Sequence, residues 1–105
     1  MANSELFTQI AMALPGTISA PHFDRTAFKV VRIFATLAAD GLSVNIKFTP
    51  DEQELKCMLA PEIFQPIDNG WGRQGWTRMI LEAAGADDIK AALAMAHIHG
   101  AARKR

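Results

Sequence analysis

Gly70, Trp71, Gly72, Arg73, Gln74, Gly75 and Trp76 stand in a row, and no other segment gathers so many residue types that chemistry uses. Glycines permit positive φ and close approach of backbone to a ligand. N–H groups exposed in such a loop, beside the planar fork of Arg73, suit a phosphate or a carboxylate. The spacing is not that of a phosphate loop, since no Lys-Ser or Lys-Thr follows and no helix is expected to start there. The same residues read equally as a loop shaped by glycine and anchored on a sheet by Trp71 and Trp76. A second group is basic: Arg25, Lys29, Arg32 and Lys47 face only Asp24 and Asp40 nearby in sequence. Alternation puts Lys47, Asn45 and Ser43 on one exposed face. A modest basic face beside loop aromatics suits a nucleic-acid phosphate backbone, and solvated lysines on an antiparallel sheet give the same pattern.

His22 lies within Pro-His-Phe-Asp-Arg, where an imidazole near Asp24 has the ingredients of acid–base work. No serine or cysteine nucleophile is close to it in sequence, so a histidine that caps a bend is the competing reading. His97 and His99 are no metal pair: residues two apart on a helix point about 200° away from each other. His97 continues a helical stripe and is expected to pack half-buried. Cys57 is the one cysteine, inside a helix with no histidine near it, which excludes an intramolecular disulfide and argues against a zinc site. The carboxylates of Asp51, Glu52 and Glu54, and of Asp87 and Asp88, open helices, where capping and the helix dipole explain them. No catalytic residue, metal or cofactor is therefore expected.

The frame that must position these residues is small. At 105 residues one domain over 1–105 is expected. A 50% hydrophobic content excludes disorder, and 11 basic against 11 acidic side chains leave no net field toward nucleic acid or a membrane. No window approaches the ~20 apolar residues of a membrane helix, and the start of the chain lacks the basic residues of a secretory signal. A cytoplasmic monomer is the expectation.

Leu6, Ile10 and Leu14 predict a helix over 4–14, capped by Asn3 or Ser4 and stopped by Pro15-Gly16. Short strands are expected over 17–23, bent at Pro21, and over 27–38. Asp40-Gly41 signals a hairpin. Leu42, Val44, Ile46 and Phe48 then alternate with polar residues as in a half-buried strand. Thr49, Pro50 and Glu52 start a helix that runs to about residue 59. A loop over 60–75 leads to a strand over 76–82, and a helix over 86–102 closes the order α-β-β-β-α-β-α, with Arg103, Lys104 and Arg105 complementing its dipole. The class is α+β with an antiparallel sheet.

Several of these residues also match a known pattern. They are Ala13-Leu14-Pro15-Gly16, Pro21-His22-Phe23, Ala27-Phe28-Lys29-Val30, Phe34-Ala35-Thr36-Leu37, Phe64 with Pro66, Gly70-Trp71-Gly72 and Gly75-Trp76. The chain resembles the MmcQ/YjbR-like family of small bacterial proteins over nearly its whole length. The resemblance implies an α+β double-wing fold of the kind compared with DNA-binding domains. Many members carry a glycine-containing turn after the strand matching residues 28–30. Here Val31-Arg32 stands there, so a tighter or differently shaped wing tip is expected. Together these readings make the chain a binding module. Its first candidate partner is DNA, contacted by Lys29, Arg32 and Lys47 with Trp71 and Arg73. The alternative is a small anionic ligand or a protein partner, held by the 70–76 loop and His22.

Overall fold

Asn3 opens the first helix by accepting a hydrogen bond from the Leu6 amide at 2.9 Å, and α1 runs Ser4–Ala13. The structure, a computed structural model, describes residues 2–102; Arg103, Lys104 and Arg105, expected to complement the last helix, lie outside the described residues. After α1 come β1 (Ile18–His22), β2 (Arg25–Lys29), β3 (Ile33–Leu37) and β4 (Ser43–Lys47). Helix α2 (Pro50–Leu59) is followed by β5 (Phe64–Pro66), the short α3 (Gly70–Arg73) and β6 (Trp76–Ile80). A 3-10 turn at Leu81–Ala83 leads to α4 (Ala86–Ala101). The strands form one antiparallel sheet in the order β1-β2-β3-β4-β6-β5.

The α+β class, the antiparallel sheet and the three main helices agree with the sequence. The expected strand over 27–38 is instead two strands, β2 and β3. Between them the register shifts at Phe28/Lys29, and the amides of Val31 and Arg32 both donate to the Gly100 carbonyl at 2.9 Å. The turn at Val31-Arg32 is thus shaped by the end of α4. That approach requires Gly100, where an added Cβ would lie 2.6 Å from Phe34 Cδ2. The expected loop over 60–75 contains β5 and α3, and Leu42 is 65% exposed rather than inward. Leu42 belongs to the hairpin loop, where its amide donates to Asp40 Oδ1.

Alternation still decides the sheet's two faces. Val44, Ile46 and Met79 are fully buried with Phe28, Phe7, Ile89 and Leu93, so α1 and α4 cover this side. Phe7 meets Phe28 edge-on at 5.5 Å, and His97 meets Phe34 edge-on at 5.7 Å, half-buried as its stripe suggested. Each such buried side chain contributes about 1.5–3 kcal/mol. Helix α2 has no fully buried residue; Cys57 packs against the edge of the core and a capping box fixes its start. Thr49 Oγ1 accepts from the Glu52 amide, and Glu52 Oε1 accepts from the Thr49 amide at 2.8 Å. Glu52 Oε1 also lies 3.0 Å from His99 Nε2, which ties α2 to α4.

Two outcomes test this frame. Gly75 has φ +109°, and a Cβ there would sit 1.9 Å from the Phe48 carbonyl oxygen. Gly75→Ala is therefore expected to lose about 3 kcal/mol or more, read as the urea midpoint. Burial opposes the Glu52 carboxylate, but the Thr49 amide, His99 and the Thr49 hydroxyl outweigh it and hold the carboxyl below its ordinary range. A depressed folded pKa gives stability that is present above the unfolded pKa and is lost as pH falls through the folded one. Glu52→Ala is expected to lose about 1–2 kcal/mol at neutral pH, and the gap from wild type should narrow in acid.

Candidate functional site

The residues that alternate away from α1 and α4 form a second face that neither of these helices covers. Across it, register pairs Thr36 on β3 with Asn45 on β4, Asn45 with Arg78 on β6, and Arg78 with Gln65 on β5. The result is a row of polar side chains spanning four strands. Arg25 reaches over the row from β2: its Nε donates to Thr36 Oγ1 at 2.8 Å and its Nη2 to the Thr36 carbonyl at 3.0 Å. Burial pulls the Arg25 guanidinium below its ordinary value, Asp24 opposes this, Arg78 adds to it and Asp40 opposes it. Arginine keeps its charge through shifts of this kind.

A cleft of ≈ 560 Å³ opens on this face. Its floor is Ile33, Thr36, Asn45 and Trp76. One wall is the tip of the β1–β2 hairpin, with His22, Phe23 and Asp24; the other is the segment entering α3, with Ile67, Asn69 and Trp71. Phe23 is 94% exposed and Trp71 61% exposed, although both are large apolar rings. Phe23 also has φ 58°, where a bulky residue is a conformational outlier. His22 and Arg25 are register partners, so Phe23 and Asp24 form a two-residue hairpin loop. The favoured turns there place Gly, Asn or Asp at positive φ. Phe23 thus carries backbone strain and solvent exposure together, and neither helps the hairpin to fold.

Opposite it, α3 is built to present Trp71. Asn69 Oδ1 accepts from the amides of Trp71 at 2.9 Å and Gly72 at 3.2 Å. Gly72 is obligatory for contact, because a Cβ there would lie 1.6 Å from the Ile67 carbonyl oxygen. Gln53 Nε2 donates to the carbonyls of Gly72 and Trp76, both at 2.9 Å. The amides of Arg73, Gln74 and Gly75 donate to the carbonyls of Asn69, Trp71 and Gly72. The segment that the sequence offered as an open cradle of N–H groups therefore satisfies those groups internally, and a short helix does start at Gly70. What it leaves outside is the Trp71 ring.

Of the six residues the sequence singled out, the structure brings His22 and Trp71 to one cleft. Arg73 is exposed, does not line it and keeps Nη2 near Gly70. Lys29 ends β2 and Lys47 ends β4; these strands run in the same direction, so both lie at one end of the sheet, with Arg32 in the adjacent turn. The Lys47 ammonium donates to the Gln74 carbonyl at the end of α3. Burial lowers its pKa while Glu52 raises it. His22 packs edge-on against Phe23 at 4.8 Å, and among the described residues no hydrogen bond joins it to Asp24. His97 Nε2 pairs with the Pro15 carbonyl and His99 with Glu52, and no three His, Cys, Asp or Glu side chains among the described residues gather to hold a metal. Cys57 is half-buried, and burial raises its thiol pKa.

The sequence reading missed Phe23 and Arg78, and it noted Arg25 and Asn45 only as parts of a basic, exposed face without choosing them as site residues. A Phe-Asp pair between two β-rich runs was the available signal for Phe23. Asn45 and Arg78 meet only through strand register.

A family model named YjbR matches residues 12–98 of the chain. A search of curated proteins finds no match. Among solved structures, the chain is similar to the crystal structure of Deinococcus radiodurans protein DR2400, which has a DUF419 domain. The TM-score is 0.73 at 19% identity, over 89% of this chain and 74% of that one, a likeness of fold. No helix among the described residues is long and apolar enough to cross a membrane.

Because Phe23 buries nothing and strains its backbone, Phe23→Gly is expected to leave stability unchanged or raise it by about 1 kcal/mol. Thermal unfolding checks this; a clear loss of stability would mean that the ring supports the fold.

Proposed function

The chain belongs to the YjbR family, and since that membership brings a fold rather than a named activity, we propose from the site itself that the protein is a non-catalytic binding module. Its ligand is small and has a planar, largely apolar portion that enters the cleft between Phe23 and Trp71. The observation that carries this reading is the pair of exposed aromatic rings on opposite walls of one cavity. Cavities of this size, apolar with a few placed polar groups, suit small ligands, and aromatic rings stack on one another favourably. The one hydroxyl lining the cleft, Thr36, already accepts from Arg25. His22 is the only imidazole there, which supports binding over nucleophilic catalysis. The single cysteine is in keeping with a reducing cytoplasm.

A second reading, DNA binding through the double-wing edge, draws support from Lys29, Lys47 and Arg32 lying at one end of the sheet. The neutral net charge and the engagement of Lys47 by Gln74 weigh against it. Anisotropy with mixed-sequence duplex DNA separates the two. Phosphate contacts require affinity that falls steeply with salt and drops when Lys29, Arg32 and Lys47 are changed to Ala together.

The cleft reading has a direct reporter, because the chain has two Trp residues and both line the cleft. Titrating neutral planar fragments such as quinoline into ¹⁵N-labelled protein is expected to shift both indole N–H signals. Trp71→Ala and Phe23→Gly should each weaken binding about tenfold. Indole signals that stay still at millimolar fragment concentrations would overturn the reading.

A further inference from the structure

The aromatic cleft does not stand alone on the face opposite α1 and α4. A neighbouring depression of ≈ 670 Å³ shares Asp24, Arg25 and Asn45 with it, so the two form one continuous surface. Arg78 lies in the second depression, and Trp76, two residues earlier on the same strand and face, lies in the first. That spacing along a strand is about 7 Å. Arg25 reaches in from the far side and uses two of its five N–H groups on Thr36, leaving the others free. Asp24, Asp40 and Glu82 line the second depression as well, but among the described residues none of them lies within ion-pair distance of Arg25 or Arg78.

We propose that the two depressions are a single site for a planar heteroaromatic ring that bears an anionic group one sugar's length away: a nucleoside monophosphate, free or as a unit of a single strand. This rests on the cleft reading above. The ring enters between Phe23 and Trp71 above Trp76, and the phosphate meets Arg78 and the free N–H groups of Arg25. Arginine suits this task because its planar fork gives paired, charge-assisted hydrogen bonds to phosphate oxygens. At Arg25 the pull of Asp24 exceeds the repulsion from Arg78, and Asp40 adds to that pull, so the two guanidiniums lie side by side on this face without net repulsion. Asn45, between the arginines and on the floor of both depressions, offers donors and an acceptor to the ring edge or the sugar.

The test follows the two indole N–H signals while adenosine, adenosine 5′-monophosphate, inorganic phosphate and a short single-stranded oligo-dA are titrated separately. The monophosphate is expected to bind about tenfold more tightly than adenosine. Arg78→Ala, at an exposed position, should erase that advantage without changing adenosine affinity. Phe23→Gly should weaken both ligands alike. An oligonucleotide that binds more tightly than the monophosphate assigns the site to a single strand, and one that does not assigns it to the free nucleotide; the proposal holds in both cases. Equal affinity for adenosine and its monophosphate, or an Arg78→Ala variant that behaves as wild type, overturns it. So do silent nucleotides where neutral planar fragments still shift the indoles, and the cleft reading then survives. Silence with every probe overturns both.

Discussion

The structure depends on a sheet whose two faces meet different surroundings. Helices α1 and α4 cover one side, so every second residue of the central strands is buried; Phe28, Val44, Ile46 and Met79 supply that side, with Thr77, whose hydroxyl donates to the Gly75 carbonyl. The intervening residues are freed from packing by the same alternation. Thr36, Asn45, Arg78 and Gln65 occupy those positions, and antiparallel register draws them into a row although they come from four separate strands. The site is thus a by-product of the core: residues excluded from the interior by the period of two are the ones collected on the open face.

What turns an open sheet face into a cleft is a pair of raised walls, and each is held differently. The α3 wall is rigid, with its amides satisfied by Asn69 and its own carbonyls, and with Gln53 pinning it to α2. Gly72 and Gly75 let backbone approach backbone at distances any side chain would forbid. The hairpin wall is held by strand pairing and by Arg25 at its base, which donates to Thr36, and it places Phe23 where turn chemistry favours glycine or asparagine. A strained, exposed aromatic makes sense where a partner supplies the burial that folding does not. A fixed wall facing a looser one suits a cleft that adjusts its width around a flat ligand.

Legibility in the sequence followed the range of the interactions. The helix starts were readable because Asn3, Thr49 and Glu52 act within three residues of their partners. The β4 alternation was readable because one buried face imposes it. The break between β2 and β3 was not legible in the residues themselves, and only the family resemblance put a turn at Val31-Arg32, since what makes the turn is the Gly100 carbonyl, nearly seventy residues away. Position 70 looked unlike a helix start because three glycines obscure it, although Asn69 is a good N-cap in local terms. The basic residues were visible as a group in sequence, yet one of them, Lys47, is used to hold the end of α3. Trp71 and His22 could be named from type alone, but their meeting across the sheet is a matter of register.

The charge balance sharpens the choice between functions. A protein with equal numbers of acids and bases has no long-range field to gather a polyanion. Local charge can still matter where solvent is partly excluded, because a guanidinium over a sheet is screened less than one on a free surface. Arg25 is in that position, half-buried against Thr36, whereas Arg32 is exposed in the turn after β2. Arg25 lines both depressions of the open face, so an anion beside it lies next to the cleft that Phe23 and Trp71 flank. Net charge thus gives no long-range pull on an extended phosphate backbone, and whatever this face holds must be held by local contacts.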